Sequence, residues 1–363
     1  MDAAAGARGR LGFLDAARGV AALMVVAAHG VNVYVPAYLP WAQANLELGR
    51  AGVVLFLMIS GFIIPASLEQ GGDLRKFWLR RFFRLFPAYW LSVAVAFLCL
   101  LAVPRLPAPV PSDHVGDWLV NLTMCQGFVG RPDVSGVYWT LQLELVVYAA
   151  CSLLFAFGLL RRVGWWVGVF LVLAFLPVGL VRPLFMGKPY VLNEYKFLYL
   201  VPLMGLIAQR YYSGRLGWKR FYALVVAQPV FLAGVWLFSK ILYPDEVELV
   251  SLRTWLLNWG VAYLLFLGVL EARRLPTPAV ALWLGRVSYS VYLFHPLVLA
   301  WLTVAAVPIW LGLPLLLAGT VAVSALTYYG VEEPGIAVGR ALERRLFMVK
   351  AAEEATTKRA KAA

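Results

Sequence analysis

Arg18 and His29 stand eleven positions apart in an otherwise apolar stretch, DAARGVAALMVVAAH. Eleven residues make close to three helical turns, so both side chains project from one face, about 16 Å apart along the axis. Asp15, three positions before Arg18, is placed to pair with it or to cap the helix start. Such a wall offers an anion contact at one end and an imidazole base at the other. The plainer alternative is an Asp–Arg anchor with a histidine that shares its face. Glu144 is the nearest candidate acid, five positions after Trp139. If Trp139 marks the outer membrane surface, Glu144 lies about 8 Å below it on an inward-running helix. His29 falls at a comparable depth on an outward-running one. The two are therefore expected to meet as base and orienting carboxylate, the arrangement that fixes an imidazole in one tautomer. Pairing of Glu144 with another cation, Arg182 or Arg253, is the alternative.

The segment FWLRRFFRLFPAYW places Arg80, Arg81 and Arg84 together among aromatics. Guanidinium forks suit phosphate oxygens, although arginines at a membrane face also serve topology alone. Further along, LGRVSYSVYLFHPL puts Ser288, Tyr292 and His295 at i, i+4 and i+7, one polar stripe, with Arg286 half a turn out of phase. Pro296 frees a backbone carbonyl there, which suits a polar cavity inside a bundle. The stripe is equally suited to hydrogen bonding between helices. Cys99, Cys125 and Cys151 have no metal-ligand spacing, and no metal is expected.

The elements that must hold these groups are set by composition. Hydrophobic residues make up 62% of the 363 and charged residues only 14%, against roughly 25% charged in ordinary globular domains. Lipid is the solvent such a surface fits. Ten apolar spans are predicted, near 18–36, 49–66, 87–103, 138–160, 163–181, 194–209, 221–239, 254–270, 283–303 and 309–329, each long enough to cross about 30 Å of hydrocarbon. Most of the 32 Lys and Arg fall in the segments that would face inward if the N-terminus is cytoplasmic, and an even span count puts the C-terminus there too. The expectation is an all-α polytopic integral membrane bundle of about ten transmembrane helices, both termini cytoplasmic. A transmembrane domain over 1–340 would be followed by a short basic cytoplasmic tail, 341–363. The net charge of +13 sits in short loop clusters, so nucleic acid is excluded as a partner and membrane lipid favoured. The proline- and glycine-rich outer loop 104–137 is expected to cover a site, with its His114 at the surface.

An ionisable group inside a span costs about 2.5–3.5 kcal/mol or more, so Arg18, His29, Glu144, Arg286 and His295 each need a reason. A resemblance supplies one. The segments LDAARGVAALMVVAAH, VVLFLMISGFII, FWLRRFFRLFPAYW, VYWTLQLELVVY, LGRVSYSVYLFHPL and VEEP, in that order, are similar to those of acyltransferase family 3, the bacterial membrane O-acyltransferases of surface polysaccharides. Two departures matter: Ala16 and Ala17 stand where the opening segment usually reads Gly-Leu, a mild change that keeps the charges, and Leu145 stands where a second acid usually follows Glu144, so only one carboxylate is assigned there. The resemblance implies a protein of the bacterial inner membrane using acyl-CoA, chiefly acetyl-CoA, as co-substrate. It implies His29 as base or acyl carrier, with Glu144 orienting it or binding the acceptor. Arg18, Arg80, Arg81 and Arg84 would contact CoA, and Asp15, Ser288, Tyr292 and His295 would be structural or acceptor-side groups. The acceptor would be a hydroxyl of an exopolysaccharide, another polysaccharide or a lipid-linked saccharide, with polysaccharide-assembly proteins as partners. The chain leaves no room for the hydrolase-like domain fused to some members, so transfer is expected directly to the acceptor or a separate partner. Two other readings compete: a transporter or flippase of a lipid-linked saccharide, and an acyltransferase acting on a secondary metabolite, glucan or lipid.

Overall fold

A computed structural model describes residues 11–102, 115–162, 198–242 and 252–362, and every regular element among them is helical. The helices are α1 (Gly12–Tyr34), α2 (Tyr38–Ala44), α3 (Leu48–Gly71), α4 (Leu74–Ala102), α5 (Val115–Asn121) and α6 (Trp139–Ala156). They are followed by α7 (Val201–Tyr212), α8 (Trp218–Leu242), α9 (Leu252–Glu271), α10 (Ala279–Val304), α11 (Ile309–Thr327) and α12 (Glu333–Ala362). Seven helical stretches among the described residues are long and apolar enough to cross a membrane. The protein is thus a multi-pass helical bundle. Of the ten expected spans, 163–181 and the start of 194–209 lie outside the described residues; from Val201 that second span is a helix of 12 residues. The region 221–239 falls within the 25-residue α8.

Two boundaries differ from the hydropathy reading for a local reason. α4 begins at Leu74, well before the apolar run at 87, because Asp73 Oδ1 accepts the backbone N–H groups of Arg75 (2.8 Å) and Lys76 (3.3 Å) and so caps the helix. Gly72, at φ +65°, has just ended α3 in the left-handed conformation that glycine takes without cost. Arg80, Arg81 and Arg84 therefore sit inside a helix rather than in a loop. α1 begins at Gly12 with no side-chain cap, so Asp15 is not a capping residue but a buried member of the first turn.

Helices meet here through small residues. A Cβ on Gly285 of α10 would lie 2.0 Å from the Asp15 carbonyl oxygen, and one on Gly19 of α1 would lie 2.9 Å from Leu284. Over the whole pair the contacts run from Gly12 against Leu282 to His29 against His295, so α1 and α10 are parallel neighbours. On the other side, Gly52 of α3 approaches the Ala21 carbonyl (2.7 Å), and Gly61 and Gly205 bring α3 and α7 together, each with a backbone carbonyl 1.9 Å from a built Cβ. In lipid, where no hydrophobic force drives helices together, this close approach supplies the dispersion contacts that hold a bundle. At the far end of α3, Glu69 accepts from buried Arg210 and exposed Arg215, tying α7 to α3.

α12 is reached through a π turn, Tyr328–Glu332, and runs antiparallel to α4. Gly335 and Gly339 lie against Pro87 and Phe83, and Glu343 takes both forks of Arg80 at 2.6 Å. Packing therefore continues past residue 340 into the basic segment.

The α1–α10 seam predicts unequal costs for two like substitutions. Gly285→Ala should destabilise the protein by about 2 kcal/mol or more, since the three atoms its methyl would meet are all backbone. Gly268→Ala, with nothing within 4 Å of the new methyl, should be neutral or stabilising by up to about 1 kcal/mol. Thermal unfolding of the detergent-solubilised variants measures both.

Candidate active site

The parallel seam brings two histidines from opposite ends of the sequence together. His29 Nδ1 lies 2.8 Å from His295 Nε2, and the rings are tilted by 32° at 5.0 Å between centroids. His295 is fully buried and its Nδ1 lies 3.2 Å from the Val291 carbonyl oxygen. The polar stripe of α10 is realised: Ser288, Tyr292 and His295 are buried while Arg286 is exposed. The expected meeting of His29 with Glu144 does not occur as a hydrogen bond. Glu144 instead accepts from Tyr148, one turn on in α6, and His29 turns to His295. Counting residues from helix ends gave both groups the same depth but carried no information on which neighbour α1 would face.

Two cavities flank this centre. The larger, termed outer because it lies toward the C-terminal end of α1, is about 270 Å³ and is lined by His29, Gln43, Glu47, Arg50 and Trp139 among others. Glu47 and Arg50 form an ion pair at 2.5 Å, and Asn258 Oδ1 accepts the Glu47 backbone N–H at 2.8 Å. The inner one is a slot of about 50 Å³ with apolar walls from Val53, Phe56, Leu57 and Leu141. Its polar groups are Arg18, Ser60, Thr140, Glu144, Ser288 and the tyrosines of α10. Val53 and Tyr292 line both cavities, so one layer of side chains divides them. The Tyr292 hydroxyl is pinned to the start of α6 by Thr140 Oγ1 (2.7 Å) and the Val137 carbonyl (3.2 Å), and its ring meets Phe56 edge-on.

The arginines divide by environment. Arg18 shares its surroundings with Arg84, Glu144 and Asp15. Arg84 lies 3.6 Å from buried Glu332, whose other oxygen accepts from Ser290 at 2.9 Å. The Arg81 guanidinium stacks over Phe77 and Tyr148, at 5.2 and 5.1 Å. Arg80 faces away and is held by Glu343. Glu332 and the Glu47–Arg50 pair were missed as site residues. A signal existed for each, since an acid closing an apolar run or opening one is as costly as the acids that were selected.

Part of the outer loop roofs the outer cavity through Gly136 and Val137; His114 lies outside the described residues. Asp133 Oδ1 accepts amide hydrogens from Gln126 (2.6 Å) and Gln142 (2.9 Å), and Asn121 bonds to the Pro132 carbonyl and the Val134 N–H. Burial pushes the Asp133 carboxyl above the ordinary carboxylate range despite those two donors.

His29, paired with His295, lines a polar chamber that shares Val53 and Tyr292 with a guanidinium-bearing apolar slot. The model of the acyltransferase-domain family, acyltransferase family 3, matches residues 11–329. The chain belongs to this family. Nodulation protein 10 of Rhizobium leguminosarum bv. viciae is 27% identical over 84% of this chain and 87% of that protein. A putative acetyltransferase of Acidianus two-tailed virus is 26% identical over 69% of this chain and 73% of that protein. Peptidoglycan O-acetyltransferase OatA of Listeria monocytogenes is 24% identical over 78% of this chain and 48% of that protein. No solved structure matches the chain. Among the described residues no group of His, Cys, Asp and Glu could hold a metal ion. This family member is a membrane acyltransferase.

The raised Asp133 carboxyl has a stability consequence. The native state holds that proton more tightly than the unfolded chain, so the contribution is full below the unfolded carboxylate pKa and is lost as pH rises through the native value. Asp133→Asn, whose Oδ1 still accepts both amides, should flatten the fall in melting temperature between mildly acidic and neutral pH. Asp133→Ala should lower melting temperature throughout, leaving two buried amide donors unmatched.

Proposed function

We propose that the protein moves an acyl group, most simply acetyl, from acyl-CoA on the cytoplasmic side to a hydroxyl of a polysaccharide or lipid-linked saccharide on the outer side. The observation that carries this reading is the pair of cavities that share Val53 and Tyr292 in their walls, with His29 on the wall of the outer one. The inner slot is narrow and apolar, which suits a pantetheine arm and a short acyl group; Arg18, on its wall, and Arg81 and Arg84 of α4 would take the phosphates. Arg80, engaged by Glu343, would act at the mouth or by holding α12 in place. The outer chamber offers a neutralised acid–base pair, an amide and an indole, a set that favours a neutral polyhydroxylated ring over a charged acceptor. The name of the Listeria relative, which acts on peptidoglycan, points the same way. The membrane would be the bacterial inner membrane, with both termini cytoplasmic, and polysaccharide-assembly proteins would deliver the acceptor.

In the reaction His29 removes the hydroxyl proton as the acceptor oxygen attacks the thioester carbon. The tetrahedral oxyanion collapses, the C–S bond breaks, and the CoA thiolate takes up a proton. Tyr292, which lines both cavities, would steady the oxyanion by turning its hydroxyl from Thr140 and Val137. Glu144, with Tyr148, balances Arg18 and orients the inner slot rather than the imidazole.

Purified protein given acetyl-CoA and a saccharide acceptor should release CoA. His29→Ala should lower that turnover by about 10³-fold, within the span general-base catalysis supplies. Unchanged turnover in His29→Ala would sink the reading. Arg18→Ala should raise KM for acetyl-CoA by about 10-fold, the loss of one charge-assisted phosphate contact, with kcat changed less. A KM that stays put would remove Arg18 from the donor site.

A further inference from the structure

The two histidines do more than touch, because their hydrogen bonds have only one consistent direction. The Val291 carbonyl oxygen can only accept, so His295 Nδ1, 3.2 Å away, carries a hydrogen. A neutral imidazole with a hydrogen on Nδ1 presents a lone pair at Nε2. That lone pair faces His29 Nδ1 at 2.8 Å, so His29 Nδ1 is the donor and also carries a hydrogen. The remaining nitrogen of His29, Nε2, is then left with the lone pair, on a residue that lines the outer cavity. Burial enforces the order. His295 is fully buried on a helix face packed against α1, so its ring has no water to turn to instead.

We infer that His295 is a positioning residue which locks His29 in the Nδ1–H tautomer and thereby makes Nε2 the reactive atom. The inference rests on the reading of His29 given above and adds which nitrogen reacts and what selects it. When the acceptor hydroxyl passes its proton to His29 Nε2, the imidazolium keeps its Nδ1–H donated to His295, which takes no net charge unless that proton crosses the 2.8 Å bond. The proton leaves Nε2 again for the departing CoA sulfur, so both rings return to their starting tautomers and the cycle balances. The same atom would serve if His29 carried the acyl group itself. His295 thus fills the orienting place of the carboxylate in a Ser-His-Asp arrangement with a neutral acceptor, one that adds no second charge to the interior.

The test compares His295→Leu, which has no acceptor, with His295→Gln, whose amide oxygen can take the His29 hydrogen. Both are checked for a monodisperse profile and the wild-type melting temperature within a few degrees, beside His29→Ala. The inference expects His295→Leu to lose about 10²- to 10³-fold in kcat, less than a triad carboxylate is worth. KM for acetyl-CoA should stay within twofold, and His295→Gln should recover to within about tenfold of wild type. With three histidines in the chain, nitrogen NMR of histidine-labelled protein can resolve the His29 signal, assigned by its loss in His29→Ala. It should report Nδ1–H in wild type and a shift toward Nε2–H in His295→Leu. Equal losses in the Leu and Gln variants, full activity in His295→Leu, or an Nε2–H His29 in wild type would each overturn the inference. Activity retained in His29→Ala would instead remove the base beneath it, so the two failures are told apart.

Discussion

The close backbone approach of α1 and α10 is the constraint on which the rest depends. Gly19 and Gly285 allow it, and any side chain there would meet backbone atoms. Only at that separation can a histidine near the end of α1 reach one near the end of α10, and only in a parallel pair do the two ends coincide. α3 then packs against the other face of α1 through Gly52, supplying Val53 and Phe56 to the cavities. The chemistry of the centre is thus fixed by residues that have none of their own.

A second regularity is the sorting of charge. Buried acids and bases at the inner end neutralise one another locally, Arg84 with Glu332 and Glu69 with Arg210. The centre itself is built from imidazoles, hydroxyls and a carbonyl. Neutral groups that hydrogen-bond in sequence avoid the desolvation cost of a carboxylate at that depth. This explains why Glu144, the most conspicuous acid in the sequence, is found beside the guanidinium of Arg18 rather than the imidazole.

Much of this was legible beforehand. Helical periodicity predicts Arg18 and His29 on one wall and Ser288, Tyr292 and His295 on one stripe, and the structure buries all three residues of the stripe. The membrane class followed from composition, and the family from six short segments. What periodicity could not give was the azimuth of one helix against another, so His29 was assigned the wrong partner while the right one stood among the candidates. The start of α4 was misplaced because hydropathy reads lipid contact, whereas Asp73 caps a helix that extends beyond it. Glu332 went unselected because its role depends on a π turn, which no spacing rule announces.

The thin divide of Val53 and Tyr292 has one further meaning. Under the proposed function a chamber would open toward each side of an energised membrane, and the wall the two share would have to prevent a leak. Every elementary charge passing through would dissipate about 2.3 kcal/mol per 100 mV. Tyr292 is tethered at its hydroxyl by Thr140 and Val137 and braced at its ring by Phe56, so it serves as insulation. Under the proposed reaction, what crosses that insulation is an uncharged acyl group, and the membrane potential neither drives nor opposes it.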